Sequence, residues 1–177
     1  MDFELPLHPM VVHLPLVAAF VAAILYAVSL VVRREGVALA AVIAAIVAAV
    51  GSAGAVWSGD GAHEDLSGAW ARVAHEVVEN HEEAGEMTLY VLSALAVAGA
   101  ASLWLGWLAQ SGTRAALALL HVAACALVAF TGHLGAELVY RHGAGVLPVR
   151  DLEPEDNIFR SHGVPTDKAP SLREESH

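Results

Sequence analysis

The stretch HEVVENHEEAGE, residues 75–86, separates two pairs of long apolar segments and thereby sets the organisation of the chain. A helical period of 3.6 residues places His81 on an apolar face of this stretch, away from the glutamates. That face comprises Ala74, Val77, Val78, His81, Ala84, Gly85 and Thr88. A histidine on the apolar face of a helix that enters a membrane needs a partner for its ring nitrogens.

The apolar segments on either side define the class of protein. Of the 177 residues, 56% are hydrophobic and only 16% are charged, and about 20 consecutive apolar residues cross a bilayer. Four segments approach or exceed that length: residues 10–32, 37–57, 87–109 and 115–140. The sequence therefore predicts an all-α integral membrane four-helix bundle, with a transmembrane domain over residues 1–147.

The connections complete this organisation. Residues 57–65 combine glycine and aspartate in a pattern typical of a turn. Residues 64–80 have the spacing of an amphipathic interfacial helix between the second and third spans. Residues 148–177 form a polar tail that contains proline, which we expect to be extended or bound to a partner.

Basic residues predict the orientation. Arg33, Arg34 and Arg114 lie in or beside the two short connections, which the positive-inside rule assigns to the cytoplasm, so both termini should lie outside. The residues before the first span are acidic rather than basic, so we interpret that span as a permanent helix and not a signal peptide. The net charge of −10 then falls mostly outside, which argues against nucleic acid as a partner.

Two motifs resemble a known family. LHPMVVHLP, residues 7–15, resembles the opening "LHPhhVHFP" of a bacterial membrane family, and GHLGAELVYRHGAGV, residues 132–146, resembles its ending "GxLGGxLVYxHGVGV". The family is catalogued as domain of unknown function 2231. The resemblance implies four transmembrane helices over about residues 5–147 and a location in the bacterial inner membrane, but no settled activity.

The histidines are the candidate functional residues. On the predicted topology only His121 lies in the inner half of the bilayer, whereas His13, His81 and His133 reach a similar depth near the outer end. Ionisable groups inside a membrane are costly and often functional, and four-helix bundles build cofactor sites from facing side chains. We therefore predict that these three residues bind haem b, or otherwise a transition metal ion. His13 and His81 would be the ligating pair, with His133 as a substitute ligand or a hydrogen-bond donor to a ligand, and Arg141 near the haem propionates.

The function that this site predicts is electron transfer like that of a b-type cytochrome, from a site near the periplasmic face. The partner would be a larger membrane redox complex or a periplasmic electron carrier. Two alternatives remain: a non-haem metal-binding protein that uses histidine and glutamate, and a structural subunit of a larger membrane complex. In a further alternative the imidazoles bond backbone carbonyls and only stabilise helix contacts.

The serines, the glutamates and the cysteine are weaker candidates for functional residues than the histidines. No serine stands in evident register with a histidine and an acid, so enzymatic activity is not predicted. Glu76, Glu79 and Glu83 should be solvated rather than ligands, because His81 takes the apolar face. The single cysteine, Cys125, excludes a thiolate metal site and is expected to be a packing residue.

Overall fold

The computed structural model describes residues 7–32, 34–65 and 75–143, all within one compact unit, Met1–Gly145. The predicted tail, residues 148–177, lies outside the described residues. The helices are α1 (Leu7–Val11), α2 (His13–Val31), α3 (Glu35–Asp65), α4 (His75–Trp104) and α5 (Ser111–His142), with a 3₁₀ turn at Trp107–Ala109.

Four helical stretches are long and apolar enough to cross a membrane. They are Leu7–Val31, Glu35–Gly59, Glu76–Trp104 and Ser111–His142. In the part of the chain that the structure describes, they confirm the all-α membrane bundle that the apolar segments predict. The first stretch is interrupted at Val12, because Pro15 has no N–H to donate to the carbonyl of Val11.

The spans pack in a ring in the order of the sequence: α2 contacts α3 and α5, and α4 contacts the same two helices. Short connections make consecutive spans antiparallel. The N-termini of α2 and α4 and the C-termini of α3 and α5 therefore lie at the same end of the bundle. We name it the His81 end. The opposite end, where α5 begins, is named the Arg114 end.

Small side chains form the interior of the bundle. Fully buried alanines include Ala19, Ala22, Ala41 and Ala48. In lipid there is no hydrophobic effect to bring helices together, so small residues act by allowing close approach and dense packing. At Gly51 an added Cβ would lie 3.0 Å from Cδ of Pro15. The contact between α2 and α3 therefore depends on glycine at that position.

Arg114 joins the first and last spans. Although it lies in the first turn of α5, its side chain is only 7% exposed. Its Nη1 donates to the carbonyl of Ser29 at 2.7 Å, and its Nη2 donates to the carbonyl of Ala109 at 3.4 Å. The carbonyls in the last turn of a helix have no partner within the helix and carry partial negative charge, so the guanidinium caps α2.

The connection after the second span differs from the prediction. Residues 57–65, expected to form a turn, continue α3 to Asp65. Glycine in a helix costs only about 1 kcal/mol, and His8 packs on α3 at Ala55, Ser58 and Gly59, so tertiary contacts outweigh the turn signals.

The expected interfacial helix falls mostly on residues 66–74, outside the described residues. Its last part, from His75 onward, forms the first turns of α4 instead. The third span is therefore continuous with the acidic stretch in which His81 lies.

Candidate functional site

His81 lies where the sequence pattern predicts, on the inner face of α4. Ala84 and Thr88, one and two turns further along, are buried, and His81 itself is half-buried. The glutamates of the same stretch are exposed: Glu76, Glu79, Glu82, Glu83 and Glu86. The predicted division of this helix into an apolar and an acidic face is therefore confirmed.

The ring that faces His81 belongs to His8 on α1. Their centroids are 6.3 Å apart, and the ring planes are nearly perpendicular at 87°. The two residues come from the first and third spans, which both begin at the His81 end. The bundle thus brings together two imidazoles that are 73 positions apart in the sequence.

His8 is held in place by α3. Its Nδ1 lies 2.9 Å from the carbonyl oxygen of Ala55 and 3.1 Å from Oγ of Ser58. Because a carbonyl oxygen only accepts, Nδ1 must carry the proton, which leaves Nε2 with the free lone pair. Gly59 provides the space, since a Cβ there would lie 3.2 Å from Cε1 of His8.

His81 has a ring nitrogen without a partner. Its Nδ1 is buried and has no hydrogen-bond partner among the described residues. The ring also lies against Gly135, where an added Cβ would be 3.0 Å from Cε1. A buried polar atom without a partner costs about 1–3 kcal/mol, so its presence beside a second imidazole suggests a ligand site.

Two threonines, next to this site and further from the His81 end, join α4 to α5 by hydrogen bonds. The hydroxyls of Thr88 and Thr131 are 2.9 Å apart, and Oγ1 of Thr131 lies 3.1 Å from the carbonyl oxygens of both Ala84 and Leu127. Hydrogen bonds between helices contribute on the order of 0.6 kcal/mol each in membranes. They set the rotation of α4 that turns His81 inward.

The other predicted site residues are exposed. His13 is exposed, and its Nδ1 donates to the carbonyl of Pro9 at 2.7 Å. His133 is exposed on α5. Arg141 forms an exposed ion pair with Glu137 at 2.7 Å. Among the residues described, no three His, Cys, Asp or Glu side chains are grouped closely enough to hold a metal ion, and cofactor binding by His13, His133 and Arg141 stays a prediction.

His8 is the residue that the sequence argument did not select. Helix α1 begins at Leu7, so His8 is part of a helix of the bundle. His8 and His13 are about 140° apart around a helix, and only one of the two can face α4. The close approach of His8 to α3 could not be read from the sequence.

The fold and this histidine pair define the class: an α-helical membrane-spanning bundle with two imidazoles facing each other at one end. The comparisons add the family. The chain belongs to the family described as "Predicted membrane protein (DUF2231)", whose profile matches residues 4–148, as the two terminal motifs indicate. Searches of curated proteins and of solved structures give no match.

Proposed function

We propose that the protein binds one haem b between His8 and His81 and transfers electrons at the His81 end of the bundle. The observation that carries the proposal is the perpendicular imidazole pair with its buried, unpartnered Nδ1. The bond from Nδ1 of His8 to the Ala55 carbonyl leaves Nε2 of His8 free for a ligand, and Nδ1 of His81 has no partner among the described residues. In the bundle the pair takes the place that the sequence analysis gave to His13 and His81.

The separation of the rings fits a shared metal. A metal held about 2 Å from one nitrogen of each imidazole would require the two ring centroids to lie no more than about 6 Å apart. The observed separation is 6.3 Å. The bond from Nδ1 of His8 to the Ala55 carbonyl is the usual outer contact of a metal-binding histidine, because it fixes the tautomer and the ring orientation.

The number of protein ligands favours haem over a bare ion. Zinc sites take three or four protein ligands, and the described residues offer only the two imidazoles at this point. A porphyrin supplies four nitrogens itself and needs only two axial ligands from the protein. Such a haem supplies a one-electron iron couple, while the protein determines its orientation and exposure.

Other features near the two imidazoles support the proposal. Gly59 and Gly135 allow the two imidazoles to lie close against α3 and α5. Arg141, in the last turn of α5 at the same end, is 75% exposed and could pair with the propionates in exchange for Glu137. Trp57 and Tyr140 are exposed near this level, as in the aromatic belt at a membrane surface. The site would then be within reach of an electron carrier outside the membrane.

The cellular setting forms part of the proposal. With Arg34 and Arg114 on the cytoplasmic side, the His81 end faces the periplasm of a bacterial inner membrane. The redox partner would be a periplasmic carrier or a larger membrane redox complex. The four spans are long and apolar enough to cross a lipid bilayer, which is therefore their surrounding medium.

The test is an absorption spectrum of the purified protein, oxidised and reduced, together with alanine variants of four histidines. Wild type should show a reducible Soret band that His8→Ala and His81→Ala both lose. His13→Ala and His133→Ala should retain it and serve as matched controls. Added imidazole should restore part of the band in His81→Ala, which would separate loss of a ligand from misfolding.

Each other outcome has a definite meaning. Loss of the band in His13→Ala but not in His8→Ala would return the axial role to His13. Absence of haem with a stoichiometric metal ion by elemental analysis would favour the His/Glu metal site. A colourless, metal-free wild type after haem loading would overturn the proposal and leave a structural role.

A further inference from the structure

A second polar pair lies buried away from the His81 end. His121 on α5 is 1% exposed and Tyr26 on α2 is 0% exposed. Their ring centroids are 4.8 Å apart, with the ring planes tilted by 42°. Both side chains lie within helices that cross the membrane, so no bulk solvent reaches them.

Each member of this pair has one polar atom without a partner. Nδ1 of His121 lies 2.8 Å from the carbonyl oxygen of Leu117, so Nδ1 is the donor and Nε2 bears the lone pair. Nε2 is buried and has no hydrogen-bond partner among the described residues, and the same is true of the hydroxyl oxygen of Tyr26. The site therefore contains an unused acceptor and a hydroxyl that can donate.

The neighbouring polar groups are already committed. Oγ of Ser29 donates to the carbonyl of Tyr26 at 2.6 Å. The two terminal nitrogens of Arg114 are bound to backbone carbonyls at the Arg114 end. Its Nε is also buried without a partner in the part of the chain described, but an N–H there only donates. None of these groups is hydrogen-bonded to the hydroxyl of Tyr26, which has no partner among the described residues.

The two rings are not hydrogen-bonded to each other directly. Nε2 of His121 and the hydroxyl oxygen of Tyr26 are both without a partner among the described residues, although the ring centroids are only 4.8 Å apart. The hydroxyl is also confined on its other side. A Cβ at Gly99 would stand 2.5 Å from it, so glycine there admits the phenol and restricts its movement.

We infer that one ordered water molecule bridges Tyr26 and His121 inside the bundle. Water is the ligand that fits, because it can donate to Nε2 and accept from the phenol at once. Buried polar groups in proteins are almost always hydrogen-bonded, and internal waters usually supply the partners that side chains do not. The inference is independent of the haem proposal, because it uses other residues at another level of the bundle.

The test is solid-state NMR of the full chain in lipid bilayers, with ¹⁵N-labelled histidine. Magnetisation that starts on water should reach Nε2 of His121, and the Nε2 shift should be that of a hydrogen-bonded acceptor. His121→Gln identifies the signal by its loss. Tyr26→Phe, which removes one of the two partners of the water, should abolish or strongly weaken the transfer. Tyr90→Phe is the matched control, because Tyr90 is 67% exposed on α4.

Three results would overturn the inference. One is an Nε2 shift typical of a free lone pair, and another is an absence of transfer from water in wild type. The third is transfer that Tyr26→Phe leaves unchanged. The Nδ1 signal, bonded to the Leu117 carbonyl, shows in the same spectra whether a variant keeps its fold.

Discussion

The imidazole of His81 rests on Gly135, so closely that a Cβ at residue 135 would lie 3.0 Å from its Cε1. The contact joins α4 to α5 at the level of the histidine pair. It makes glycine 135 part of the site although glycine has no side chain to bind a ligand.

Gly135→Ala should therefore displace the His81 ring. The methyl group has to be accommodated by a ring that Thr131 and His8 also contact, so overpacking should destabilise the protein by about 1–3 kcal/mol. If haem is bound, its spectrum should change as well. Gly132→Ala, one turn earlier with nothing within 4 Å, is the control for unfolding measured in detergent. Equal stability of the two variants would contradict the contact.

Gly99→Ala should be destabilising by a similar amount, about 1–3 kcal/mol, because its Cβ would stand 2.5 Å from the hydroxyl of Tyr26. In a Tyr26→Phe background that oxygen is absent, so most of the loss should disappear. A double-mutant cycle measures this coupling. Additive effects of the two substitutions would show that the hydroxyl does not lie against Gly99.

Ser58→Ala should weaken cofactor binding at His8 without removing it. Ser58 is one of two groups beside Nδ1 of His8, and the Ala55 carbonyl remains after the substitution. Loss of such an outer contact lowers metal affinity by roughly tenfold or more, which a haem titration measures. Ser52→Ala, nearly two turns earlier on α3, should bind as wild type does. Unchanged affinity in Ser58→Ala would show that Ser58 does not position the ring.

Thr131→Val should loosen the contact between α4 and α5. The valine keeps the shape but removes the hydroxyl that contacts Thr88 and the Ala84 carbonyl. At on the order of 0.6 kcal/mol per interhelical bond in a membrane, the loss of stability should be about 1 kcal/mol. Thr113→Val near the Arg114 end is the comparison, and a neutral Thr131→Val would mean that the threonine contacts are not stabilising.

The predicted orientation can be tested by chemical labelling. In a Cys125→Ala background, Gly61→Cys and Gly112→Cys should react with an impermeant reagent from opposite sides of the membrane. With both termini outside, Gly61→Cys should label in intact cells after the outer membrane is opened. Labelling of both from one side would contradict four spans, and reversal of the sides would place the His81 end in the cytoplasm.

The sequence predicted the features that depend on composition and period. The four spans, the acidic face of α4 and the inward position of His81 follow from apolar length and from the 3.6-residue repeat. The predicted position of each histidine along its span also placed His13 and His133 at a membrane depth similar to that of His81. Membrane depth does not determine which way a side chain points around the helix axis, however, and both side chains are exposed in the bundle.

What the sequence could not supply are contacts between distant segments. His8 joins the site because it packs against Ala55 and Ser58 on α3. The same contact lies where α3 continues as a helix past Gly59 instead of forming the expected turn. Likewise, Tyr26 meets His121 only because α2 and α5 are neighbours in the ring. Local patterns carry no information about such pairings when both helices are uniformly apolar.

The bond between Arg114 and the Ser29 carbonyl has a consequence for biogenesis. Ser29 is in the first of the four described spans and Arg114 is at the start of the fourth, so the two partners are made 85 positions apart. Until the fourth span enters the membrane, the guanidinium cannot cap α2 and the ring of helices stays open. Insertion of the last span is thus the step that closes the bundle, and a chain truncated before Arg114 should be a substrate for membrane quality control.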